Sequence, residues 1–183
     1  MKKYLYLAAI AIASCGTILS SCSDDKISGD SIFSTKAVQR NAFDEWLYKN
    51  YTMPYNIEFQ YRLKTEETEQ AYNFVPADSA KTVKLAILTK YMWFDAYAET
   101  VGLDFIKENA PRIILVTGTP GYTRYRTEVI GSAEGGYKVR LGKVNALTDD
   151  QLKDYGSMNN YYFHTMHHEF MHILNQKKPY DES

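Results

Sequence analysis

The chain has 183 residues, of which 45% are hydrophobic and 23% are charged, and its formal net charge is −1 at pH 7. This length fits one domain, and the composition is that of a globular protein rather than a disordered one. The sequence has no arginine-rich run and no basic stripe, which argues against a protein that binds nucleic acid through phosphate contacts.

Residues 1–21 predict a lipoprotein signal peptide. Lys2 and Lys3 precede the apolar run "YLYLAAIAIA", and small residues then lead to Leu19-Ser20-Ser21-Cys22, which has the form of a lipobox. The apolar run is short for a bilayer span, so a transmembrane helix is the weaker alternative. Cleavage before Cys22 and acylation of that cysteine would anchor the protein to a membrane by lipid alone. Neither cysteine of the chain then remains for a disulfide.

Residues 22–35 are polar and acidic, and they predict a flexible tether between the lipidated cysteine and a folded domain over residues 36–183. Acidic residues directly after an acylated cysteine resemble the surface-export signal of lipoproteins from Bacteroidota. An ordinary solvated linker explains the same composition equally well.

The first half of the domain predicts two helices and a strand. Helical spacing of apolar residues indicates a first helix over residues 36–50, capped by Ser34 or Thr35. The stretch "YNIEFQYRL" alternates apolar and polar residues, as a half-buried strand does. A long helix follows from Pro76-Ala77-Asp78-Ser79 and stops at Gly102. Its predicted core face comprises Val83, Ile87, Tyr91, Phe94 and Ala98.

The second half predicts three strands followed by helices. The run "RIILVTG" is typical of a buried strand, and "YRTEVIGSAEGGYKVRLGKV" indicates two strands joined at Glu134-Gly135-Gly136. A short helix over residues 148–154 and a loop containing Gly156, Ser157, Asn159 and Asn160 then lead to a terminal helix. This order predicts an α+β fold in which helices pack on a mixed sheet.

The terminal helix carries His168-Glu169-Phe170-Met171-His172, an HExxH motif. Histidines four residues apart on a helix lie one above the other, so their imidazoles can converge on one zinc ion. Glu169 is turned away from them by about 100°, which leaves it free to act on a zinc-activated water. The motif therefore predicts His168 and His172 as metal ligands and Glu169 as the catalytic acid and base.

A helical wheel separates this helix into two faces. Phe163, Met166, Phe170, Ile173 and Leu174 form an apolar stripe, and His168 and His172 lie roughly opposite, beside Tyr161 and Thr165. His167 falls at the border of the stripe, as a hydrogen-bonded core histidine would. His164 has two interpretations, ordinary packing or a supporting contact to the metal ligands.

A hydrolytic zinc site needs a third protein ligand. Asn175 and Lys178 stand where the metzincin pattern requires glycine and histidine, which excludes that clan and favours a gluzincin-like site. Asp181 or Glu182 could bend back over the metal. The alternative expectation is a ligand beyond Ser183, so that the sequence is C-terminally truncated and its own activity is uncertain.

The lipobox, "FDEWLYKNYTMPYNIEFQYR", "AEGGYKVRL" and "YYFHTMHHEFMHILNQKKPY" together resemble a known family. They are similar to the substrate import-associated zinc metallohydrolase lipoproteins of Bacteroidota, also described as zinc-binding metallopeptidases. The resemblance implies a zincin-like fold, with a mixed twisted sheet, a backing helix and an active-site helix. It also implies an outer-membrane lipoprotein, at the cell surface or the periplasmic face, beside a SusC/SusD-like importer.

The leading hypothesis is a zinc metallopeptidase or amide hydrolase that cleaves peptide or glycoprotein material before uptake. In zincins an edge strand pairs with extended substrate, and "GGYKVRL" is either that strand or an ordinary core strand. The alternative hypothesis is a non-catalytic lipoprotein that holds cargo for the importer on a zincin scaffold. The sequence leaves the substrate and the oligomeric state open.

Overall fold

The computed structural model describes residues 39–64, 66 and 73–177. The predicted signal peptide, Cys22, the tether, Asp181 and Glu182 therefore lie outside the described residues. From Arg40 onward the chain belongs to one compact unit. None of the helices within the described ranges is long and apolar enough to cross a membrane.

The first helix, α1, begins at Ala42 and not at residue 36. Asn41 caps it, since its side-chain oxygen accepts from the backbone N–H of Asp44 at 2.7 Å. The Asp44 carboxylate accepts in return from the Asn41 N–H at 3.2 Å. This reciprocal cap satisfies the first free N–H groups and fixes the start of the helix, which the spacing of apolar residues alone had placed too early.

The first helical segment changes its winding twice before the first strand. Helix α1 covers Ala42–Leu47, a π-helical turn covers Tyr48–Thr52, and helix α2 covers Met53–Tyr55. Asn56 then adopts a left-handed conformation with φ of 55°, which ends the helix. Strand β1 follows and is shorter than the alternation of apolar residues predicted.

The predicted long helix is present, and Gly102 ends it with φ of 99°. It consists of α3 (Ser79–Thr89), a π-helical turn (Lys90–Asp95) and α4 (Ala96–Val101). A further helix, α5 (Leu103–Asn109), follows Gly102. The Asp78 carboxylate caps α3 by accepting from the Lys81 N–H at 2.9 Å.

The predicted core face of this helix is partly wrong. Ile87 and Tyr91 are 36% and 62% exposed, whereas Leu85, Ala86 and Trp93 are fully buried. Ala86 lies close to the first helical segment, since its carbonyl accepts from the Tyr51 hydroxyl at 2.6 Å. The π-helical turn then shifts the later residues relative to a regular 3.6-residue spacing.

The main sheet has four strands in the order β1-β2-β6-β5. In chain order the strands are β1 (Glu58–Gln60), β2 (Ile113–Val116), β3 (Gly121–Tyr122), β4 (Glu128–Val129), β5 (Gly131–Glu134) and β6 (Lys138–Leu141). β1, β2 and β6 are parallel, and β5 pairs antiparallel with β6 at one edge. The predicted mixed sheet is confirmed.

Strand β5 is followed by a glycine turn and preceded by a separate hairpin. Gly135 and Gly136, with φ of 55° and 70°, form the turn to β6 as the sequence predicted, because glycine adopts positive φ without steric cost. Before β5, strands β3 and β4 form a separate antiparallel hairpin. The sequence merged β4 and β5 into one strand, whereas Ile130 separates them and accepts from the Gly142 N–H at 2.6 Å.

The chain after β6 is more helical than predicted. A 3-10 turn at Val144–Ala146 leads to the predicted short helix α6, Asp149–Lys153, which Thr148 caps. The predicted loop at residues 156–160 is wrong, since α7, Tyr155–Met158, and a π-helical turn, Asn159–Phe163, run into α8, His164–Lys177. Asp154 caps α7 by accepting from the Ser157 N–H at 2.7 Å, and burial of Met158 stabilises it.

The core lies between the helices and one face of the sheet. Ile114 and Val116 of β2 and Val139 and Leu141 of β6 are fully buried there. Full burial of one such side chain contributes about 1.5–3 kcal/mol. This packing fixes the sheet against the helices and so sets the position of α8.

Candidate metal centre

Helix α8 is held in place by its apolar face. Met166, Phe170 and Ile173 are fully buried, Phe163 is 4% exposed and Leu174 is half-buried. The predicted stripe is therefore the face that meets the core.

Aromatic rings surround the centre of this face. The Phe170 ring meets those of Trp93, Tyr97 and Phe105 edge-on, with centroids 5.6, 5.2 and 6.2 Å away. Each such aromatic pair adds about 0.5–1.5 kcal/mol beyond burial. Because Phe170 immediately follows Glu169, this packing fixes the rotation of α8 at the motif.

His168 and His172 lie on the opposite, exposed face of α8, as predicted. Their Nε2 atoms are 3.0 Å apart and their rings are nearly perpendicular, at 86°. The two imidazoles thus converge on one point outside the helix.

This convergence fits a zinc ion. Two Zn–N bonds of about 2.0–2.1 Å at a tetrahedral angle separate the nitrogens by about 3.3 Å. The observed separation is slightly shorter, and small side-chain rotations on an exposed face can supply the difference. Imidazole nitrogen is also a preferred donor for zinc. The chemistry of the pair therefore fits the metal, and its present spacing is that of a hydrogen bond between the two rings, close to the spacing that zinc requires.

Glu169 is half-buried and lines a cleft of about 350 Å³ beside the histidines. The other lining residues are Glu128, Val129, Ile130, Gly131, His164, Thr165 and His168. The cleft therefore has one wall from α8 and another from the segment that joins β4 to β5. A substrate in this cleft would contact the predicted acid and base directly.

The edge strand beside the motif is β5, and of the two interpretations of "GGYKVRL" the structure supports the ordinary core strand. β6, which contains most of that stretch, pairs with β2 on one side and β5 on the other, so both of its edges are occupied. β5 lies at the end of the strand order. It is also close to α8, because a Cβ placed on Gly131 would lie 2.1 Å from Cγ2 of Thr165.

The two remaining histidines of α8 differ in their surroundings. His167 is half-buried, and its Nδ1 lies 3.2 Å from the hydroxyl of Tyr97, so the predicted hydrogen-bonded core histidine is confirmed. Burial lowers the pKa of His167, with a smaller contribution from His164. His164 is exposed, lines the cleft and has its ring 6.4 Å from that of His168.

A third metal ligand beside His168 and His172 is not seen among the residues that the structure describes. Within them, no group of three histidine, cysteine, aspartate or glutamate side chains is placed to hold a metal ion. Asp181 and Glu182 lie outside that set, so both alternatives for the third ligand, one of these residues or a ligand beyond Ser183, stay predictions. Lipidation of Cys22 stays a prediction for the same reason.

The sequence did not predict that the β3–β4 hairpin borders the cleft. Glu128 and Val129 belong to β4, and they enter the lining because the chain bends at Ile130. The adjacent apolar residues Val129 and Ile130 interrupt the alternation at the bend, but one such interruption does not by itself separate two strands from one strand with a bulge.

Comparisons with known proteins show which family the chain resembles. A family described as "Putative zinc-binding metallo-peptidase" matches residues 36–183. A solved structure similar to this chain is that of "a putative zinc-binding metallo-peptidase from Bacteroides caccae ATCC 43185", at 43% sequence identity and a TM-score of 0.59. The alignment covers 83% of this chain and 57% of that one, so this chain spans little more than half of that relative. No curated protein matches the chain.

The family match includes the helix that carries His168, Glu169 and His172, and the family is described as zinc-binding, which agrees with the metal expected from the sequence. The mixed sheet with packed helices is likewise consistent with a metallopeptidase fold. The chain therefore belongs to this family of zinc-binding metallo-peptidases.

Proposed function

We propose that the protein is a zinc-dependent metallopeptidase or related amide hydrolase of gluzincin-like type, acting on peptide or glycoprotein material. The observation that carries this proposal is the pair of Nε2 atoms of His168 and His172, 3.0 Å apart on the exposed face of α8. Glu169 lines the cleft beside them. This arrangement combines a two-histidine metal face with an adjacent general base.

Each residue of the motif has a distinct task. Zinc, when bound, supplies Lewis acidity that polarises a carbonyl and lowers the pKa of water. His168 and His172 hold the metal through neutral ring nitrogens. Glu169 accepts a proton from the attacking water and passes it to the departing amine nitrogen. We place the third ligand outside the described residues, with Asp181 and Glu182 as candidates.

Strand β5 is the proposed docking edge for the substrate backbone. An extended peptide can add to an open sheet edge through main-chain hydrogen bonds and so be held without a requirement for one sequence. Gly131 begins this strand and lines the same cleft as Glu169, so a peptide paired there would present a carbonyl near the metal face.

We further propose that acylated Cys22 anchors the protein to the outer membrane, where it processes material for a SusC/SusD-like importer. The lipobox at Leu19-Ser20-Ser21-Cys22 and the family resemblance support this location. In cells, Cys22→Ala should abolish labelling with a palmitate analogue and release the protein from the membrane fraction. Unchanged membrane association of the variant would contradict the anchor. Co-purification with importer subunits tests the partner.

The enzymatic proposal is tested on purified full-length protein by zinc content and peptide hydrolysis. Glu169→Gln should retain zinc and lower hydrolysis by about 10²–10⁴-fold, the usual contribution of a general base. His172→Ala should lose zinc, while His164→Gln, on the same helix, should keep it.

Two results would overturn the enzymatic proposal. One is the absence of stoichiometric zinc from the wild type, and the other is hydrolysis that Glu169→Gln leaves unchanged. A wild type that binds peptide with the same affinity as Glu169→Gln but never cleaves it would instead indicate the cargo-binding alternative.

A further inference from the structure

We propose that the tip of the β3–β4 hairpin is a binding site for acidic side chains of the substrate, formed by Arg124 and Arg126. This inference rests on the proposed peptidase function and adds a substrate preference to it: peptides with a glutamate or aspartate several residues from the cleaved bond.

The hairpin adjoins the N-terminal end of the proposed docking strand. β4 leads through Ile130 directly into β5, and the whole segment from Glu128 to Gly131 lines the cleft beside His168. A peptide paired with β5 that extends past Gly131 therefore runs toward the hairpin. At about 3.3 Å per residue, Arg126 lies up to about 16 Å from Gly131 along the chain. An acidic side chain about three to six residues further along the peptide can reach it.

The tip has an excess of positive charge. Arg124 and Arg126 are exposed, and neither is paired with a carboxylate among the described residues. The nearby Glu128 does not neutralise them, because its carboxylate forms an ion pair with Lys143. Two guanidinium groups on the hairpin that borders the cleft are thus available to a ligand.

The tip is also ordered by its own hydrogen bonds. The Arg126 N–H donates to the Thr123 carbonyl at 2.8 Å, and the Thr123 N–H donates to the Thr127 carbonyl at 2.9 Å. The Thr123 hydroxyl accepts from the Thr127 N–H at 3.2 Å. Because the turn is already formed, binding of an acidic side chain loses little backbone entropy.

Arg126 occupies an unusual position for an arginine. Its φ of 62° is a left-handed conformation that glycine or asparagine adopts more readily. Arg124 is restrained by its neighbour, since its guanidinium donates to the Tyr125 hydroxyl at 2.6 Å and lies 4.6 Å from the centre of that ring. A guanidinium has five N–H donors, so this contact leaves others for a carboxylate.

The test uses 12-residue peptides in which one position at a time is fixed as glutamate or as glutamine and the others are mixed. Cleavage is measured with zinc-loaded full-length wild type, and binding is measured by fluorescence polarisation with zinc-loaded Glu169→Gln. We expect glutamate to be favoured at positions on one side of the bond only. The double variant Arg124→Gln/Arg126→Gln should lower that preference by about 3- to 30-fold, as expected for two exposed ion pairs. The preference should also weaken with salt.

Two control variants separate this site from general electrostatics. Lys49→Gln/Lys153→Gln removes the same charge from exposed positions outside the cleft and should leave the preference unchanged. Arg124→Lys/Arg126→Lys keeps the charge and should retain part of the preference for glutamate.

The outcomes also separate this inference from the proposed function. Zinc-dependent cleavage with equal use of glutamate and glutamine, or a preference that the double variant keeps, would overturn the acidic site and leave the peptidase intact. Acid-selective binding that depends on the arginines without any cleavage would support the site and overturn the peptidase.

Discussion

Gly131 offers a direct test of how closely the edge strand β5 approaches helix α8. Its φ is not positive, so alanine can adopt the same backbone conformation. The added Cβ, however, would lie 2.1 Å from Cγ2 of Thr165, whereas carbon atoms in contact lie about 3.5–4.0 Å apart. Gly131→Ala must therefore separate β5 from α8 by more than about 1 Å or force Thr165 into another rotamer.

Overpacking of this kind destabilises a protein by about 1–3 kcal/mol. Alanine also lowers the conformational entropy of the unfolded chain relative to glycine, which offsets about 0.4–1 kcal/mol of that loss. We expect Gly131→Ala to lower the free energy of unfolding by about 1–2 kcal/mol, measured by urea denaturation at equal m. Thr165→Ser removes only the clashing methyl and keeps the hydroxyl that donates to the Tyr161 carbonyl at 3.4 Å. The double variant should therefore regain the stability of Thr165→Ser alone.

A double-mutant cycle of Gly131→Ala and Thr165→Ser tests whether the two residues are in contact. A coupling energy of about 1 kcal/mol or more between the two substitutions supports the contact. Additive effects, within about 0.5 kcal/mol, would show that Gly131 is not required for the approach of β5 to α8.

Three further changes test the fold and the metal face. Phe170→Ala should lower the free energy of unfolding by about 3–5 kcal/mol, since the ring is fully buried; denaturation by urea measures it, and a loss below 1 kcal/mol would contradict the packing. The hydrogen bond from Arg62 lowers the pKa of Asp44 to about 2, below its ordinary 3.8. The free energy of unfolding of the wild type should therefore fall by about 1 kcal/mol as the pH falls from 4 toward 2, and Asp44→Asn should not show this fall. Urea denaturation of both proteins across this pH range measures it, and equal losses in the two would refute the reasoning. Added zinc should raise the melting temperature of the wild type, EDTA should reverse the rise, and His172→Ala should not respond in a thermal-shift assay; an equal response would exclude His172 as a ligand.

Local signals in the sequence predicted most of the elements. Glycines at 102, 135 and 136 ended a helix and made a turn as expected, because few other residues adopt positive φ. The wheel of α8 predicted both faces correctly, since a regular helix fixes which residues share a side. The predictions for residues 36–50 and 156–160 failed where side-chain caps at Asn41 and Asp154 determine helix starts.

The HExxH motif by itself determined that His168 and His172 share one face of α8, because the two histidines and the glutamate lie within one and a half turns of a single helix and their spacing is a local property. Only the tertiary structure decided which strand borders that face. The inner place of β6 depends on its pairing with β2, whose residues are far away in the chain, and β5 is left at the edge as a result. The bend at Ile130, which brings Glu128 and the arginine-bearing hairpin to the cleft, was decided in the same way, by the hydrogen bond from Gly142 and the packing of Gly131 on Thr165.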